Sequence, residues 1–376
     1  VSPGNTRRGT AIVGAGMIGE VHRRSALLAG AEIAGVLAST PQRSLEKAGE
    51  WNVRAFASFD EVLADDRVDV VHVCTPNATH APFAEAALAA GKHVICEKPL
   101  AISLDEAERM AAAASASGLV ATVPFVYRYH PLVREIRARR QAGEFGDWHL
   151  LHGSYLQDWM VDPDASGWRV DPDQGGVSRA FADIGSHWCD LVQWVSGETF
   201  TDVFAEFSIA VPTRPSAGGT SFSGPSGGVG ERVAVRTEDT AALLLRTGTG
   251  VLATATISQV AAGRKNRLWF ELDGSGGSAV FDQENPEQIW LGGAESNRVL
   301  TRDIGTGSAE QRRLSKLPAG HPQGYADCFD AFVADTYAAI DGGDPEGLPT
   351  FTDGLRSARL VDAVVRAAGN GSWTKV

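Results

Sequence analysis

Cysteine is scarce in this chain. Cys74, Cys96, Cys189 and Cys328 are the only four in 376 residues, and no two form a C-x-x-C pair. This excludes a disulfide scaffold, and buried, reduced thiols are expected. Long apolar runs are missing too. No window approaches the ~20 apolar residues that cross a bilayer. The opening VSPGNTRRGT has no hydrophobic centre of a secretory leader and reads as a short disordered lead-in, so a cytoplasmic chain is expected. Basic residues fall short, 34 against 46 acidic, and the net charge of −12 argues against a nucleic-acid or anionic-membrane surface. The nine histidines show no ligand-like clustering with acids beyond the pair Asp183 and His187, spaced i, i+4, so no metal site is expected. Hydrophobic content of 43% with 21% charged residues suits a globular protein. The length suggests roughly two or three domains.

Glycine is present where it carries meaning. Thr10 to Glu20 reads TAIVGAGMIGE, an apolar run leading into Gly14, Gly16 and Gly19. In a G-x-G-x-x-G turn the first glycine permits the tight bend and the second lets backbone approach a pyrophosphate. The third lets the following helix close on the strand. The anion would sit where helix N–H groups are unpaired and the peptide dipoles favour negative charge. Alone, the motif is equally compatible with a chance glycine cluster.

The surrounding pattern decides. A helix is predicted from Gly19 to about Ala29, a strand over Glu32–Ala38, a helix over Ser44–Trp51 and a short strand around Phe56 and Ser58. Phe59–Asp65 reads as helix, and Val68–Cys74 as an apolar parallel-type strand. Thr75-Pro76-Asn77 opens a helix that runs past His80 and Phe83 to Ala90. Strands over His93–Cys96 and Leu119–Pro124 flank a helix over Leu104–Ser117. Alternation of this kind gives an α/β, doubly wound parallel sheet, a Rossmann dinucleotide-binding domain over residues 1–125. Gly14, Gly16 and Gly19, with Met17 and Ile18, then sit at its phosphate turn. The ribose is read about 20 residues later. There the chain offers Ser39, Thr40 and Arg43 and no acid, which favours a 2′-phosphate and hence NADP(H) over NAD(H). The alternative is that Ser39 and Thr40 merely begin the next turn.

Glu97-Lys98-Pro99 follows a sheet strand directly. With the glycine turn, Thr75-Pro76-Asn77 and His80, Gly91-Lys92-His93, Tyr127-Arg128, and Asp183 followed by His187, it resembles the glucose-fructose oxidoreductase/inositol dehydrogenase (Gfo/Idh/MocA) family along nearly the whole chain. The resemblance implies NAD(P) held by the glycine turn, Thr75, Pro76, Asn77, His80, Glu97 and Lys98. It also implies an α+β second domain with a large open, mostly antiparallel sheet, substrate between the domains, and association through the outer sheet face into homodimers or homotetramers. The sequence independently supports such a domain over 126–376. From Trp148 the alternation stops, and β-rich runs follow over Leu150–Leu156, Ala241–Arg246, Val251–Gln259 and Leu268–Leu272. Residues 212–230 read as a mobile loop, an oligomer element or a lid, and helices are predicted over Tyr325–Ile340 and Asp353–Ala368.

Hydride transfer between a carbinol and nicotinamide needs a proton acceptor for the hydroxyl and an electrophile for its oxygen. Lys98, at a strand end, suits the electrophile. If Ile184–Ser196 is helical, Asp183 and His187 project from one face. The histidine can accept the proton, and the aspartate can hold substrate and favour imidazolium. The plainer alternative makes Asp183 an N-cap and His187 a core residue. Substrate contacts are expected from Tyr127, Arg128, Tyr155, Gln157, Trp159, Trp168 and Arg169, since phenol, amide, guanidinium and indole groups suit a small sugar or polyol. Strand alternation would put Tyr155, Gln157 and Trp159 on one face. The Tyr-Leu-Gln-Asp-Trp run at 155–159, with Gly263-Arg264-Lys265-Asn266 and with His321-Pro322 and Gly324-Tyr325, resembles the levoglucosan dehydrogenase branch, whose members oxidise a sugar C3 hydroxyl; the resemblance implies Tyr325 as a further substrate contact. Val126 stands where that branch commonly has Asn, and the acid after the second strand is missing. Other readings are a keto-sugar reductase, an NAD-dependent glycosidase using transient oxidation, and a dinucleotide-binding regulator.

Overall fold

The computed structural model describes residues 7–216 and 231–376. The chain divides into two compact units, one of residues up to 124 with 326–358, the other of 125–325 with 359–376. The sequence predicts a second domain over 126–376, but residues 326–358 pack with the first unit.

The first unit begins with β1 (Gly9–Val13), α1 (Met17–Leu28), β2 (Glu32–Leu37) and α2 (Pro41–Trp51). It continues through α3 (Phe59–Ala64), β3 (Val70–Val73), α4 (His80–Ala89), β4 (His93–Cys96), α5 (Leu104–Ser117) and β5 (Ala121–Thr122). The five strands pair in parallel in the order β2-β1-β3-β4-β5. Runs such as Val70 to Val73 are buried on both faces, as a parallel sheet between helices requires. Two expectations change. The second helix starts at Pro41, not Ser44, because Thr40 caps it by accepting from the Arg43 N–H at 3.2 Å and proline suits the first helical position. Around Phe56 there is only an isolated bridge between Ala55 and Val36, since Ser58 already caps α3.

The second unit holds α6 (Pro131–Gln141), β6 (Trp148–Leu156), the short α7 (Pro172–Gly175) and α8 (Ser186–Ser196). Its later strands are β7 (Phe200–Ser208), β8 (Thr213–Pro215), β9 (Arg232–Ala234), β10 (Thr240–Thr247), β11 (Leu252–Ser258), β12 (Arg267–Gly274), β13 (Ser278–Asp282), β14 (Gln288–Gly292) and β15 (Arg298–Thr301). After α9 (Ala309–Leu314) come α10 (Tyr325–Ile340), which lies almost wholly in the first unit, α11 (Phe351–Asn370) and β16 (Thr374–Lys375). Nine strands form one sheet in the order β15-β14-β13-β12-β6-β11-β10-β7-β16, antiparallel throughout except for β6 beside β11. Of the predicted loop at 212–230, residues 217–230 lie outside the described residues, and Thr213–Pro215 pairs with Arg232–Ala234. Among the described residues no helix is long and apolar enough to cross a membrane.

One face of the large sheet is covered by α8, through Trp188, Leu191, Val192 and Val195. This packing depends on Gly153 in the middle of β6. A Cβ there would lie 2.2 Å from the Trp269 carbonyl oxygen and 2.6 Å from the Trp188 indole nitrogen, which itself donates to Trp269 at 2.9 Å. Neither neighbour is a flexible side-chain tip. Gly153→Ala is therefore expected to destabilise by about 2–3 kcal/mol. Differential scanning calorimetry should show a midpoint lower by about 5–10 °C.

Candidate functional site

In the first unit the glycine turn shows three different physical demands. Gly14 has φ of 101°, and a Cβ would lie 2.4 Å from the Cys74 carbonyl oxygen. At Gly19 a Cβ would fall 2.0 Å from the oxygen of Gly14, so helix and strand touch there backbone to backbone. Gly16 differs: it has an ordinary φ of −78°, and a Cβ would meet nothing within 4 Å. Its place at the start of α1 leaves unpaired N–H groups facing that space. This is the cradle a pyrophosphate needs, so the residues present fit a dinucleotide, with Met17 and Ile18 in the first turn. Nearby, a cleft of about 450 Å³ runs from Ala15, Gly16 and Met17 to Trp51. Arg23 lies 5.1 Å and Lys47 5.8 Å from that indole ring. Sequence reading missed this cleft because α1 and α2 meet only in the fold.

At the end of β2, Ser39 accepts from the Arg43 guanidinium at 3.1 Å, and both are exposed. Thr40 is committed to its cap. The Thr75-Pro76-Asn77 turn and the Lys98–Pro99 turn are joined by His80, whose ring nitrogens lie 3.0 Å from the Thr75 oxygen and 2.9 Å from the Pro99 oxygen. His80 is fully buried, and that burial lowers its pKa despite the two carbonyls. A neutral ring donates to one of them, so its part in a cofactor site is to hold these turns. Glu97 is buried as well. Burial would raise its carboxyl, but the hydrogen bond from His22, with Lys98 beside it, outweighs burial and holds it below its ordinary value. Its second oxygen accepts the Lys98 backbone N–H at 3.1 Å.

In the second unit, Phe181–Gly185 forms a π-turn that runs into α8. Asp183 lies on that turn, not in one continuous α-helix with His187, and the N-cap of α8 is Gly185. Such turns recur at functional sites. Both side chains are buried. Asp183 accepts from the Gln259 amide at 2.8 Å, and the Arg169 Nε stands 3.6 Å from its other oxygen. Arg169 also stacks 4.3 Å over Trp168. The His187 ring lies edge-on to Phe125 at 5.7 Å and to Tyr127 at 5.0 Å, with Tyr155 at 6.3 Å.

Around His187 the predicted substrate residues gather on Asn266. Its Oδ1 accepts from the Tyr155 hydroxyl at 2.7 Å and the Gln157 amide at 2.9 Å, and its Nδ2 donates to the Tyr127 hydroxyl at 3.1 Å. The two phenols are 2.5 Å apart, and Trp159 donates to Gln157 at 2.9 Å. Tyr325 lies 5.9 Å from Tyr127, ring to ring. Burial and the neighbouring Tyr127 push the Tyr155 phenol well above its ordinary pKa, which makes it a hydroxyl donor and not a base. Arg128 has its own partner in the fold: its buried guanidinium forks onto Asp190 and lies 5.6 Å from the Trp194 ring, which braces α8. Gln259 was missed, although a polar residue closing an apolar strand was a usable signal. The fold also assembles an unforeseen trio on β6 and β12. His152 Nε2 lies 3.7 Å from Glu271 and 3.5 Å from Asp273, brought together by strand register and not by sequence spacing.

The glycine geometry generates a paired expectation. Gly16→Val should melt like the parent, yet bind dinucleotide at least about tenfold more weakly by fluorescence titration. Gly19→Ala should lose thermal stability outright, because backbone oxygen blocks its methyl group.

Residues 8–125 match the GFO/IDH/MocA oxidoreductase family, NAD-binding Rossmann fold, and residues 133–280 match the GFO/IDH/MocA C-terminal domain. Levoglucosan dehydrogenase of Pseudarthrobacter phenanthrenivorans is 32% identical over 346 residues, spanning 90% of this chain and 88% of that protein. A solved levoglucosan dehydrogenase in complex with NADH and L-sorbose superposes with a TM-score of 0.89 at 28% identity, covering 98% of this chain and 99% of the other. An inositol dehydrogenase homologue from Azotobacter vinelandii complexed with NAD+ gives 0.88 at 25% identity, covering 99% and 98%. Two successive domain matches, a relative aligned along nearly all of its length and the glycine turn seen here agree: this chain belongs to the GFO/IDH/MocA family of NAD(P)-dependent oxidoreductases.

Proposed function

We propose that the chain is a dehydrogenase that oxidises a secondary hydroxyl of a sugar, anhydrosugar or polyol, with C3 of an anhydrosugar as the favoured carbon and Lys98, Asp183 and His187 as the catalytic groups. The observation that carries this reading is the Asn266-centred array beside His187. Two phenols, two amides and an indole present donors and acceptors beside flat apolar faces, which is what a compact polyhydroxylated ring requires. The similarity to levoglucosan dehydrogenase supports the choice of substrate class.

In this reading His187 takes the hydroxyl proton. Asp183, its carboxylate aimed by Gln259 and Arg169, orients the substrate and stabilises the imidazolium that results. Lys98 donates to the carbinol oxygen as it becomes a carbonyl. NAD(P), when bound, supplies the hydride acceptor. Glu97 and His80 keep the Lys98 turn in place. Lys98→Ala and His187→Ala should each lower kcat by about 10²–10⁴-fold with dinucleotide affinity retained. Normal turnover by either variant would refute its role.

Cofactor choice follows from the end of β2, where Ser39 and Arg43 are exposed next to a helix start and no carboxylate is present to accept from a ribose hydroxyl. Preference for NADP is the proposal, and Arg43→Ala should weaken NADP binding without affecting NAD. Calorimetry showing tighter NAD than NADP in the parent would overturn it. The outer face of the large sheet carries exposed Leu244 and Leu252, which supports association there into dimers or tetramers. Light scattering should give a multiple of the chain mass, and the mass of a single chain would contradict it.

A further inference from the structure

A polar seam runs through the largely apolar core of the first unit. His22 on α1 lies 3.0 Å through Nε2 from the Glu97 carboxylate and 3.0 Å through Nδ1 from Nδ1 of His72 on β3. His72 Nε2 lies 3.1 Å from the Tyr337 hydroxyl on α10, which is 2.5 Å from the Thr10 hydroxyl on β1. All five residues are buried, three of them completely. Phe329 closes the seam from α10, its ring 4.8 Å from that of His22. The line runs from the start of β1 to the far end of β4, where Lys98 follows. The dehydrogenase reading makes no use of His22, His72, Tyr337 or Thr10.

A buried chain of this kind has a direction, because each contact needs one donor and one acceptor. Glu97 as a carboxylate can only accept, so His22 must carry its proton on Nε2. A neutral His22 then accepts at Nδ1, which requires His72 to donate from Nδ1. His72 in turn accepts at Nε2 from the Tyr337 hydroxyl, and Tyr337 accepts from Thr10. Burial, with His22 beside it, keeps His72 neutral. Were His22 the charged partner, it would donate at both nitrogens and force the His72 proton onto Nε2. The tautomer of His72 therefore distinguishes the two arrangements.

We propose that Thr10, Tyr337, His72, His22 and Glu97 form a proton-ordered seam that holds Glu97 as an oriented carboxylate and thereby positions the Lys98 turn. The positioning half rests on the role proposed above for Lys98. The ordering half does not. Here His22 and His72 are positioning residues, acting through Glu97.

The test has two readouts on the intact protein. Long-range ¹H–¹⁵N correlation spectra at neutral pH should show His22 with its proton on Nε2 and His72 with its proton on Nδ1, the less common form in free histidine. A His72 proton on Nε2, or an imidazolium at either residue, overturns the ordering, and this reading needs no turnover at all. For positioning, His22→Leu removes both hydrogen bonds at similar volume, whereas His22→Gln can still reach Glu97 with an N–H. His22→Leu should lower kcat by about tenfold or more with dinucleotide Kd within about twofold, and His22→Gln should recover most of that loss. Equal loss in both variants, no loss in either, or a loss confined to Kd overturns the positioning. Tyr337→Phe, which alters the far end only, should leave the His72 proton on Nδ1 in the same spectra, because Glu97 and His22 still require it there. A proton moved to Nε2 in that variant would also contradict the seam.

Discussion

An added Cβ at Gly19 would sit 2.0 Å from the carbonyl oxygen of Gly14, so the end of β1 and the start of α1 can meet only where both lack side chains. That contact sets the first unit. It aims the N-terminus of α1, with its unpaired N–H groups, past the C-terminal end of the sheet, and it leaves Gly16 looking into open space. Crevices at this edge of an open parallel sheet are where such folds take nucleotides. The end of β2 and the turns after β3 and β4 belong to the same edge. Ser39, Asn77 and Lys98 therefore share a region of the fold although they are dispersed in sequence.

Charge is treated differently in the two units, but the rule is the same. A buried carboxylate survives only with donors around it. Glu97 has His22 and the Lys98 N–H, and Asp183 has Gln259 with Arg169 nearby. Arg128 and Asp190 satisfy each other in a buried pair that supports α8. Burial beside Tyr127 is also what separates Tyr155, a fixed donor, from a side chain able to accept a proton.

Much of this was legible before any coordinates. The glycine spacing, the strand–helix alternation and the Glu-Lys-Pro turn act locally, so the turn after β1 and the strand end that carries Lys98 were visible in the sequence. The nine-stranded sheet was visible as alternating β-rich runs, but not its order, because β6 pairs with β11 and β12 across about a hundred residues. The same nonlocal pairing hid the role of Asn266, which becomes a hub only when β12 lies beside β6. Nothing in the sequence tells that Arg128 pairs with Asp190, 62 residues away, while its neighbour Tyr127 joins the Asn266 cluster. The π-turn at Asp183 was also invisible, since one extra residue per turn leaves an apolar stripe looking α-helical.

The central claim is that this chain moves a hydride from a sugar carbinol to a nicotinamide. The most direct measurement offers an anhydrosugar deuterated at its carbinol carbons together with NAD or NADP, then isolates the reduced dinucleotide for mass spectrometry. The account predicts reduced cofactor carrying one deuterium, with the sugar recovered as its ketone. Reduced cofactor without label, or deuterated sugar returned unchanged with no reduction, would contradict it.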